Sequence, residues 1–241
     1  MYKYRKAVLI IHGFAGGTYD QEPLFFYLQP KLEFDVYNFT LPGHMTNLSS
    51  DVKYTDWISA VDDRINKLLN MGYSKIYVIG HSMGGVLATH AAIKHPEVAK
   101  LVLVAPAFNF LSTEENNTIT KAIKNGPDII KTYQVKEVLS RFLKVSISQV
   151  KEFVKLVELS QANPSLLTVP TLIVQGTSDQ IVPYKSSEKI YREMTCKKWL
   201  IEVSNVNHDV FYKNGKIKMI NEEIGIFLKK NYYSAEGIRK W

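Results

Sequence analysis

Short apolar runs alternate along the chain with longer segments whose apolar residues recur at a helical period. Six of the runs are rich in β-branched or aliphatic residues and predict strands at 7–11, 35–40, 75–79, 100–104, 171–174 and 199–203. Several of them, such as Val8-Leu-Ile-Ile11, are apolar on both faces, which is typical of strands buried on both sides of a parallel sheet. The alternation of strands and helices predicts an α/β fold with right-handed crossovers.

Two segments define the helical part of the pattern. In residues 55–70 the apolar side chains fall on one stripe, the charged ones lie mostly off it, and Gly72 ends the pattern. Residues 107–168 contain no convincing strand and carry helical patterns near 113–125, 135–144 and 147–160. We expect this second interval to be a helical insertion that packs over one end of the sheet.

Composition and charge narrow the class of protein. Of the 241 residues, 46% are hydrophobic and 22% are charged, which is typical of an ordered globular chain. One cysteine excludes a disulfide framework and a cysteine-based zinc site. The net charge of +7 lies wholly in residues 1–6 and 213–241, and the residues between them are neutral. We therefore expect no nucleic-acid partner, and the basic ends are compatible with weak contact to a membrane surface.

The N-terminal region lacks the features of a targeting signal. The apolar run that follows the first basic residues stops after five residues at His12, which is too short for the hydrophobic region of a signal peptide. No apolar stretch approaches the roughly 20 residues needed to span a bilayer. We expect a soluble, cytoplasmic protein with no transmembrane segment.

A candidate nucleophile lies in Gly80-His-Ser-Met-Gly-Gly85, between a predicted strand and a helix-like segment. This is the Gly-x-Ser-x-Gly pattern in the strand–turn–helix context that gives it meaning. A serine at so sharp a turn has a strained backbone, so the residues two positions before and after it must be nearly free of side chain. The hydroxyl of Ser82 would then lie exposed above the sheet, over the free N–H groups of the helix N-terminus.

A serine is inert at neutral pH without a base, and the base needs an orienting acid. In a parallel sheet these partners should follow later strands at the same carboxyl edge. Asp179 and His208 each follow one of the last two predicted strands, and the loop after the strand at 100–104 offers no competing carboxylate. The order Ser82, Asp179, His208 is the one expected for a catalytic triad in this architecture.

Two backbone N–H groups are candidates for an oxyanion hole, which acyl transfer requires. One is the amide of Met83, directly after the nucleophile. The other is the amide of Phe14, in the loop His12-Gly-Phe-Ala-Gly-Gly17 that follows the first strand. In that loop Gly13 permits a close approach to the substrate, and His12 is expected to brace the loop rather than to react.

We expect the other histidines and the single cysteine to have no direct part in the chemistry. His81 should pack on the far side of the turn, and His44 should be a neighbour of the site. His90 and His95 should be structural or exposed helix residues, and Cys196 should lie away from the site.

Taken together, these motifs resemble the α/β-hydrolase superfamily from residue 6 to about residue 230. The chain looks most like the small bacterial carboxylesterases and monoacylglycerol-lipase-like esterases. The resemblance implies an α/β-hydrolase fold with a reduced, mainly parallel sheet of about six strands. It also implies a core formed by residues 1–106 and 169–241, with a helical cap at 107–168 inserted over an acyl pocket.

The same resemblance implies roles for the candidate site residues. Ser82 would be the nucleophile, His208 the base and Asp179 the acid, with the amides of Phe14 and Met83 as the oxyanion hole. The implied activity is hydrolysis of a small-molecule carboxylic ester through an acyl-enzyme, with no cofactor and no metal.

The substrate is less defined than the chemistry. Short- to medium-chain monoesters or monoacylglycerols suit an apolar cap. Two alternatives stay open: another reaction on the same triad (amide, thioester or carbon–carbon bond cleavage, or acyl transfer), and a non-catalytic ligand-binding protein with the same fold. The apolar residues that could line an acyl groove, or could equally pack helices together, are Phe108, Phe110, Leu111, Ile119, Ile123, Ile129, Ile130, Tyr133, Val138 and Leu139.

Overall fold

Seven strands form the centre of the molecule. The computed structural model describes residues 5–31, 33–44, 51–109, 146–212, 214–230 and 235–241. Its strands are β1 Arg5–Ile11, β2 Asp35–Phe39, β3 Tyr73–His81, β4 Val98–Val104, β5 Thr171–Gly176, β6 Lys198–Val203 and β7 Gly237–Lys240. They form one sheet in the order β2-β1-β3-β4-β5-β6-β7, and every adjacent pair is parallel.

The predicted α/β fold is confirmed, but the sheet has seven strands instead of about six. All six predicted strands are present, and β7 is the additional one. It is four residues long, lies at the edge beside β6 and places Lys240 opposite Glu202. Because β7 is short and half charged, it has none of the apolar alternation from which strands are recognised in a sequence.

Helices cover both faces of this sheet. They are α1 Glu22–Leu28, α2 Tyr54–Asn70, α3 Met83–Lys94, α4 Ile147–Leu159, α5 Tyr184–Glu193 and α6 Ile217–Lys229. The apolar side chains of α1 and α6 pack on one face, and those of α2, α3, α4 and α5 pack on the other. Within the described ranges, no helix combines the length and the apolar character needed to cross a membrane.

The helical patterns at 55–70 and 147–160 correspond to α2 and α4, so both predictions are confirmed. The patterns near 113–125 and 135–144 lie outside the described residues. The same is true of all the predicted groove residues except Phe108, which is buried in the core.

The connections of β1 and β3 leave the carboxyl edge of the sheet toward opposite faces. β1 lies between β2 and β3, and the chain leaves β1 toward α1 on one face but leaves β3 toward α3 on the other. Ligands of open α/β sheets bind where the direction of the connections changes in this way. Ile11 ends β1 directly opposite Gly80 of β3, so the two following segments start side by side.

Candidate active site

Ser82 occupies the turn between β3 and α3 in a strained conformation. Its φ of 55° and ψ of −120° are unfavourable for a residue with a Cβ atom. Its N–H donates to the carbonyl of Val104 (2.9 Å), and its own carbonyl accepts from the N–H groups of Gly85 (2.9 Å) and Ala107 (3.2 Å). These contacts, with the end of β4, the loop after it and the first turn of α3, hold a geometry that the serine alone would not adopt.

Glycines make the turn sterically feasible, as the sequence predicted. A Cβ atom on Gly80 would lie 2.1 Å from the carbonyl oxygen of Gly84. A Cβ atom on Gly84 would lie 2.3 Å from the carbonyl oxygen of Ile11. Both distances are far below van der Waals contact and both involve backbone atoms, so neither position can hold a side chain without moving the strand or the helix.

We expect Gly84→Ala to lower the free energy of unfolding by at least about 2 kcal/mol, because the added methyl group meets the backbone of β1. Gly215→Ala is the matched control, since a Cβ there meets no atom within 4 Å, and it should change stability by less than about 0.5 kcal/mol. Urea unfolding measures both variants. An unchanged unfolding midpoint for Gly84→Ala would contradict this packing.

Asp179 and His208 form a directly bonded pair. His208 Nδ1 lies 2.8 Å from Asp179 Oδ2, and its N–H donates a hydrogen bond to that oxygen. In the neutral ring Nε2 is therefore an acceptor. The other carboxylate oxygen, Oδ1, accepts from the N–H groups of Ile181 (2.9 Å) and Val182 (2.8 Å). The side chain of Asp179 is fully buried, whereas that of His208 is 12% exposed.

The surroundings of Asp179 keep it charged. Burial alone would raise the pKa of this carboxyl group, but the adjacent His208 and the hydrogen bonds from His208, Val182 and Ile181 lower the pKa below its usual value. A charged carboxylate at this place holds the His208 ring in one orientation through the hydrogen bond to Nδ1.

His81 connects the turn of Ser82 with the loop of His208. Its Nε2 donates to the carbonyl oxygen of His208 (3.0 Å), and the two ring centroids are 5.0 Å apart. Burial, and then the proximity of His208, lower the pKa of His81 to about 4, so its ring is neutral at physiological pH. His81 is a buried packing residue, as expected, but it packs against His208 and Phe211 and its side chain is directed at the His208 loop, not at the far side of the turn.

The loop after β1 approaches Ser82 closely. A Cβ atom on Gly13 would lie 3.0 Å from Ser82 Cβ, so only a glycine fits easily there. Phe14 follows at once, and Met83 follows Ser82 as the first residue of α3. The N–H of Met83 has no acceptor within the helix, since the first N–H groups of any helix lack one. The two segments that carry the predicted oxyanion donors therefore flank Ser82.

His12 braces this loop, as predicted. Its Nδ1 donates to the carbonyl of Gly13 (2.7 Å), and its Nε2 accepts the N–H of Leu41 (2.9 Å). Burial, followed by the proximity of His44, lowers the pKa of His12 to about 3, which keeps the ring neutral. His44 lies edge-on against the rings of His12 and Phe14, so it is a neighbour of the site as expected.

The remaining candidates have structural contacts elsewhere. His95 Nε2 lies 2.8 Å from Asp62 and joins α3 to α2, and His90 Nε2 lies 2.7 Å from Ser160 after α4. Cys196 is half-buried just before β6, at the amino edge of the sheet, away from Ser82. No group of three or more His, Cys, Asp or Glu side chains in the described part of the chain is arranged to hold a metal ion.

Family profiles match nearly the whole chain. The profile of the alpha/beta hydrolase fold family matches residues 6–128, and that of the serine aminopeptidase S33 family matches residues 110–214. The first match covers more than half of the sequence, and the chain belongs to the α/β-hydrolase fold family.

Relatives that match over at least nine tenths of their length are found among named proteins and solved structures. The chain is 23% identical to a thermostable monoacylglycerol lipase of Bacillus sp. (strain H-257), over 92% of this chain and 90% of the relative. It is also 23% identical to a carboxylesterase of Bacillus subtilis (strain 168), over 93% of each chain. The crystal structure of Paleococcus ferrophilus monoacylglycerol lipase has a TM-score of 0.72 with 20% identity, over 94% of this chain and 96% of the other, and therefore shares the fold.

Proposed function

We propose that the protein is a serine hydrolase that cleaves carboxylic esters through an acyl-enzyme. The observation that carries the proposal is the buried Asp179–His208 pair, at the sheet edge where Ser82 is held in a strained turn. The two relatives named as a monoacylglycerol lipase and a carboxylesterase each match over nine tenths of this chain, and both names denote ester hydrolases.

The mechanism follows from the protonation of each group. His208 Nε2 takes the proton of Ser82 Oγ as that oxygen attacks the ester carbonyl carbon. The carbonyl oxygen becomes an oxyanion that accepts hydrogen bonds from the N–H groups of Met83 and Phe14. His208 then gives its proton to the leaving alcohol, which leaves the acyl group on Ser82. Water enters and attacks the acyl carbon as His208 takes one of its protons. The bond from the acyl carbon to Ser82 Oγ then breaks, His208 returns the proton to Oγ, and the carboxylic acid is released.

Asp179 makes His208 suitable for both proton transfers. Its Oδ1 is held by two backbone N–H groups, so Oδ2 stays directed at His208 Nδ1. The ring therefore carries its resting proton on Nδ1 and offers Nε2 to Ser82. His81 fixes the backbone of His208 from the side of the nucleophile through the bond to its carbonyl.

We also propose that residues 107–168 form a cap on a core of residues 1–106 and 169–241. The C-terminal part of this interval supports the division. Phe153 of α4 stacks on Phe14, with ring centroids 4.9 Å apart and planes 12° apart. Gln149, one turn earlier, donates to the carbonyl of Gly43 (3.1 Å). The proposed cap is thus in contact with the residue that supplies an oxyanion donor.

We expect Phe153→Leu to lower kcat for ester hydrolysis about tenfold, because Phe14 loses its stacking partner and its N–H moves from the optimal position. The substitution keeps most of the apolar volume and should cost less than about 1.5 kcal/mol of stability. Phe227→Leu is the control, since Phe227 is equally buried but lies on α6, on the other face of the sheet. Equal kcat values for the two variants would contradict this link between cap and site.

The proposed substrates are short- to medium-chain monoesters or monoacylglycerols, without cofactor or metal. The aromatic surroundings of Phe14, which include His44, Trp57 and Phe153, favour an apolar acyl group. The cytoplasmic location and the weak contact with a membrane surface stay predictions.

A substrate panel tests the proposal. p-Nitrophenyl esters from acetyl to palmitoyl and a monoacylglycerol are compared with matched amides and thioesters, since the second family profile is that of a serine aminopeptidase. We expect kcat/KM to be largest for an ester. A larger value for the amide would assign the same triad to amide cleavage. A chain that neither turns over any member nor reacts with a fluorophosphonate would be a binding protein.

A further inference from the structure

Gln175 is a fully buried polar residue near the end of β5, four positions before Asp179. Its Nε2 lies 3.0 Å from Asp179 Oδ2, 3.1 Å from the carbonyl oxygen of Gly176 and 3.3 Å from that of Val182. Its Oε1 accepts the hydroxyl proton of Ser187 on α5 (2.8 Å). All the polar atoms of this amide therefore have partners.

These contacts define which end of the amide faces the carboxylate. Two carbonyl oxygens and a carboxylate oxygen can only accept hydrogen bonds, so the group that faces them must be the –NH2 of Gln175. Ser187, on the opposite side, supplies the donor that the amide oxygen needs. The reversed amide would place an oxygen against three acceptors and would leave the hydroxyl proton of Ser187 facing –NH2.

The hydrogen bond from Gln175 ends on the oxygen that His208 also uses. Asp179 Oδ2 accepts one hydrogen bond from His208 Nδ1 and one from Gln175 Nε2. Its Oδ1 accepts hydrogen bonds from two backbone N–H groups. The carboxylate is thus fixed at both oxygens and cannot rotate about its last side-chain bond. A second donor on Oδ2 also reduces the negative charge that this oxygen presents to His208.

We propose that Gln175 is a positioning residue for the catalytic pair, which directs Asp179 Oδ2 at His208 and limits how strongly that oxygen stabilises a protonated imidazole ring. Ser187 supports this role by orienting the amide. The inference deepens the proposed function and rests on it, because it assigns His208 as the base and Asp179 as its partner.

The test removes the N–H donor of Gln175 and measures the pH dependence of kcat/KM, which loss of packing alone does not change. Gln175→Met keeps the length of the side chain but removes the N–H. We expect kcat to fall by about tenfold to a hundredfold with little change in KM, since the base is misplaced and substrate contacts are not. We also expect the acid limb of the kcat/KM profile to move to higher pH, because a carboxylate with one donor fewer holds a proton on His208 more strongly.

Several charged or titratable groups surround this network, and none is altered by the substitution. His81 contacts His208, and Asp209 is its neighbour in the chain. Glu202 lies opposite Gln175 in the sheet, and Glu188 of α5 is hydrogen-bonded to Glu202. Their contributions to the pH profile are therefore common to all the proteins compared.

The matched control is Thr171→Val, which removes a buried polar group from the start of the same strand without touching Asp179. It should leave kcat and the acid limb unchanged at equal folded fraction.

Ser187→Ala is the milder variant, because it removes the hydrogen bond that orients the amide and keeps Gln175 in place. We expect it to move the limb in the same direction with about a threefold loss of kcat.

The outcomes separate the role of Gln175 from the proposed esterase function. A wild-type protein that hydrolyses p-nitrophenyl butyrate, together with unchanged kcat and an unchanged acid limb in Gln175→Met, overturns the role of Gln175 alone. If Gln175→Met does not fold, an unchanged limb in Ser187→Ala overturns it. A wild-type protein that neither hydrolyses esters nor reacts with a fluorophosphonate overturns the proposed function and this role with it.

Discussion

Ser82→Ala should lower kcat for a p-nitrophenyl ester by a factor of about 10⁴ or more, the loss that follows removal of a serine nucleophile. The reason lies in the covalent step, since without Oγ no acyl-enzyme forms and only the oxyanion donors and binding remain. Substrate binding should be nearly unchanged, because the change removes one oxygen atom from a residue that is already almost completely buried.

The chain offers a close control for this experiment. Ser186 on α5 is as buried as Ser82, and its hydroxyl has no hydrogen-bond partner among the residues that the structure describes. Ser186→Ala should therefore retain wild-type turnover and wild-type stability. Near-normal esterase activity in Ser82→Ala would show that the nucleophile is another residue.

Asp179→Asn should lower kcat by about 10³- to 10⁴-fold, although the side chain keeps its size. The structure explains why the loss is so large. Because the N–H groups of Ile181 and Val182 can only donate, the amide oxygen of an asparagine faces them, and its –NH2 takes the place of Oδ2 beside His208. Gln175, which donates to Oδ2 in the wild type, keeps the carbonyl oxygens of Gly176 and Val182 as acceptors. Nδ1 of His208 then becomes the acceptor, the ring proton moves to Nε2, and that nitrogen can no longer take the proton of Ser82.

Steady-state kinetics measures this loss, and Asp63→Asn on the exposed side of α2 is the control for removal of one negative charge. We expect the control to hydrolyse esters at the wild-type rate. If Asp179→Asn kept more than about a tenth of the wild-type kcat, His208 would not depend on this carboxylate for its tautomer.

The same substitution has a consequence for stability against pH. Since folding lowers the pKa of Asp179, the unfolded chain binds more protons than the folded one just below the usual pKa. The contribution of the carboxylate to stability is therefore present above the unfolded pKa and is lost as the pH falls through the lower, folded value. The unfolding midpoint in urea should fall in acid more steeply for the wild type than for Asp179→Asn.

The strands, and the positions of Ser82, Asp179 and His208 after three of them, could be predicted from the sequence because each strand has a recognisable local pattern. A strand buried on both faces must be apolar throughout, so runs such as Val8-Leu-Ile-Ile11 are recognisable without any knowledge of neighbours. A serine held in a strained turn needs glycines around it, and the chain order of Ser82, Asp179 and His208 follows from the parallel sheet. The strands and the glycines of the turn are each recognisable from a few adjacent residues, whereas the order of the three site residues follows from the topology of the sheet.

The features that could not be predicted depend on contacts between distant segments. β7 is a strand only because β6 offers it a free edge, and half of its own residues are charged. The bond from His81 to His208 joins residues 127 positions apart, and nothing in Gly-His-Ser-Met-Gly indicates it. Gln175 is a single polar residue at the end of a buried strand, and its meaning depends on how the next loop returns Asp179 to it.

Covalent labelling of the wild-type protein with a fluorophosphonate, followed by peptide mass mapping, identifies the nucleophile, because the reagent reacts with a serine that its surroundings have activated. We expect one adduct per chain, on the peptide that contains Ser82, with loss of ester turnover in proportion to labelling. We also expect no adduct on Ser82→Ala and slow labelling of Asp179→Asn. An adduct on any other residue, or full ester turnover after Ser82 is labelled, would contradict the assignment of Ser82 as the nucleophile.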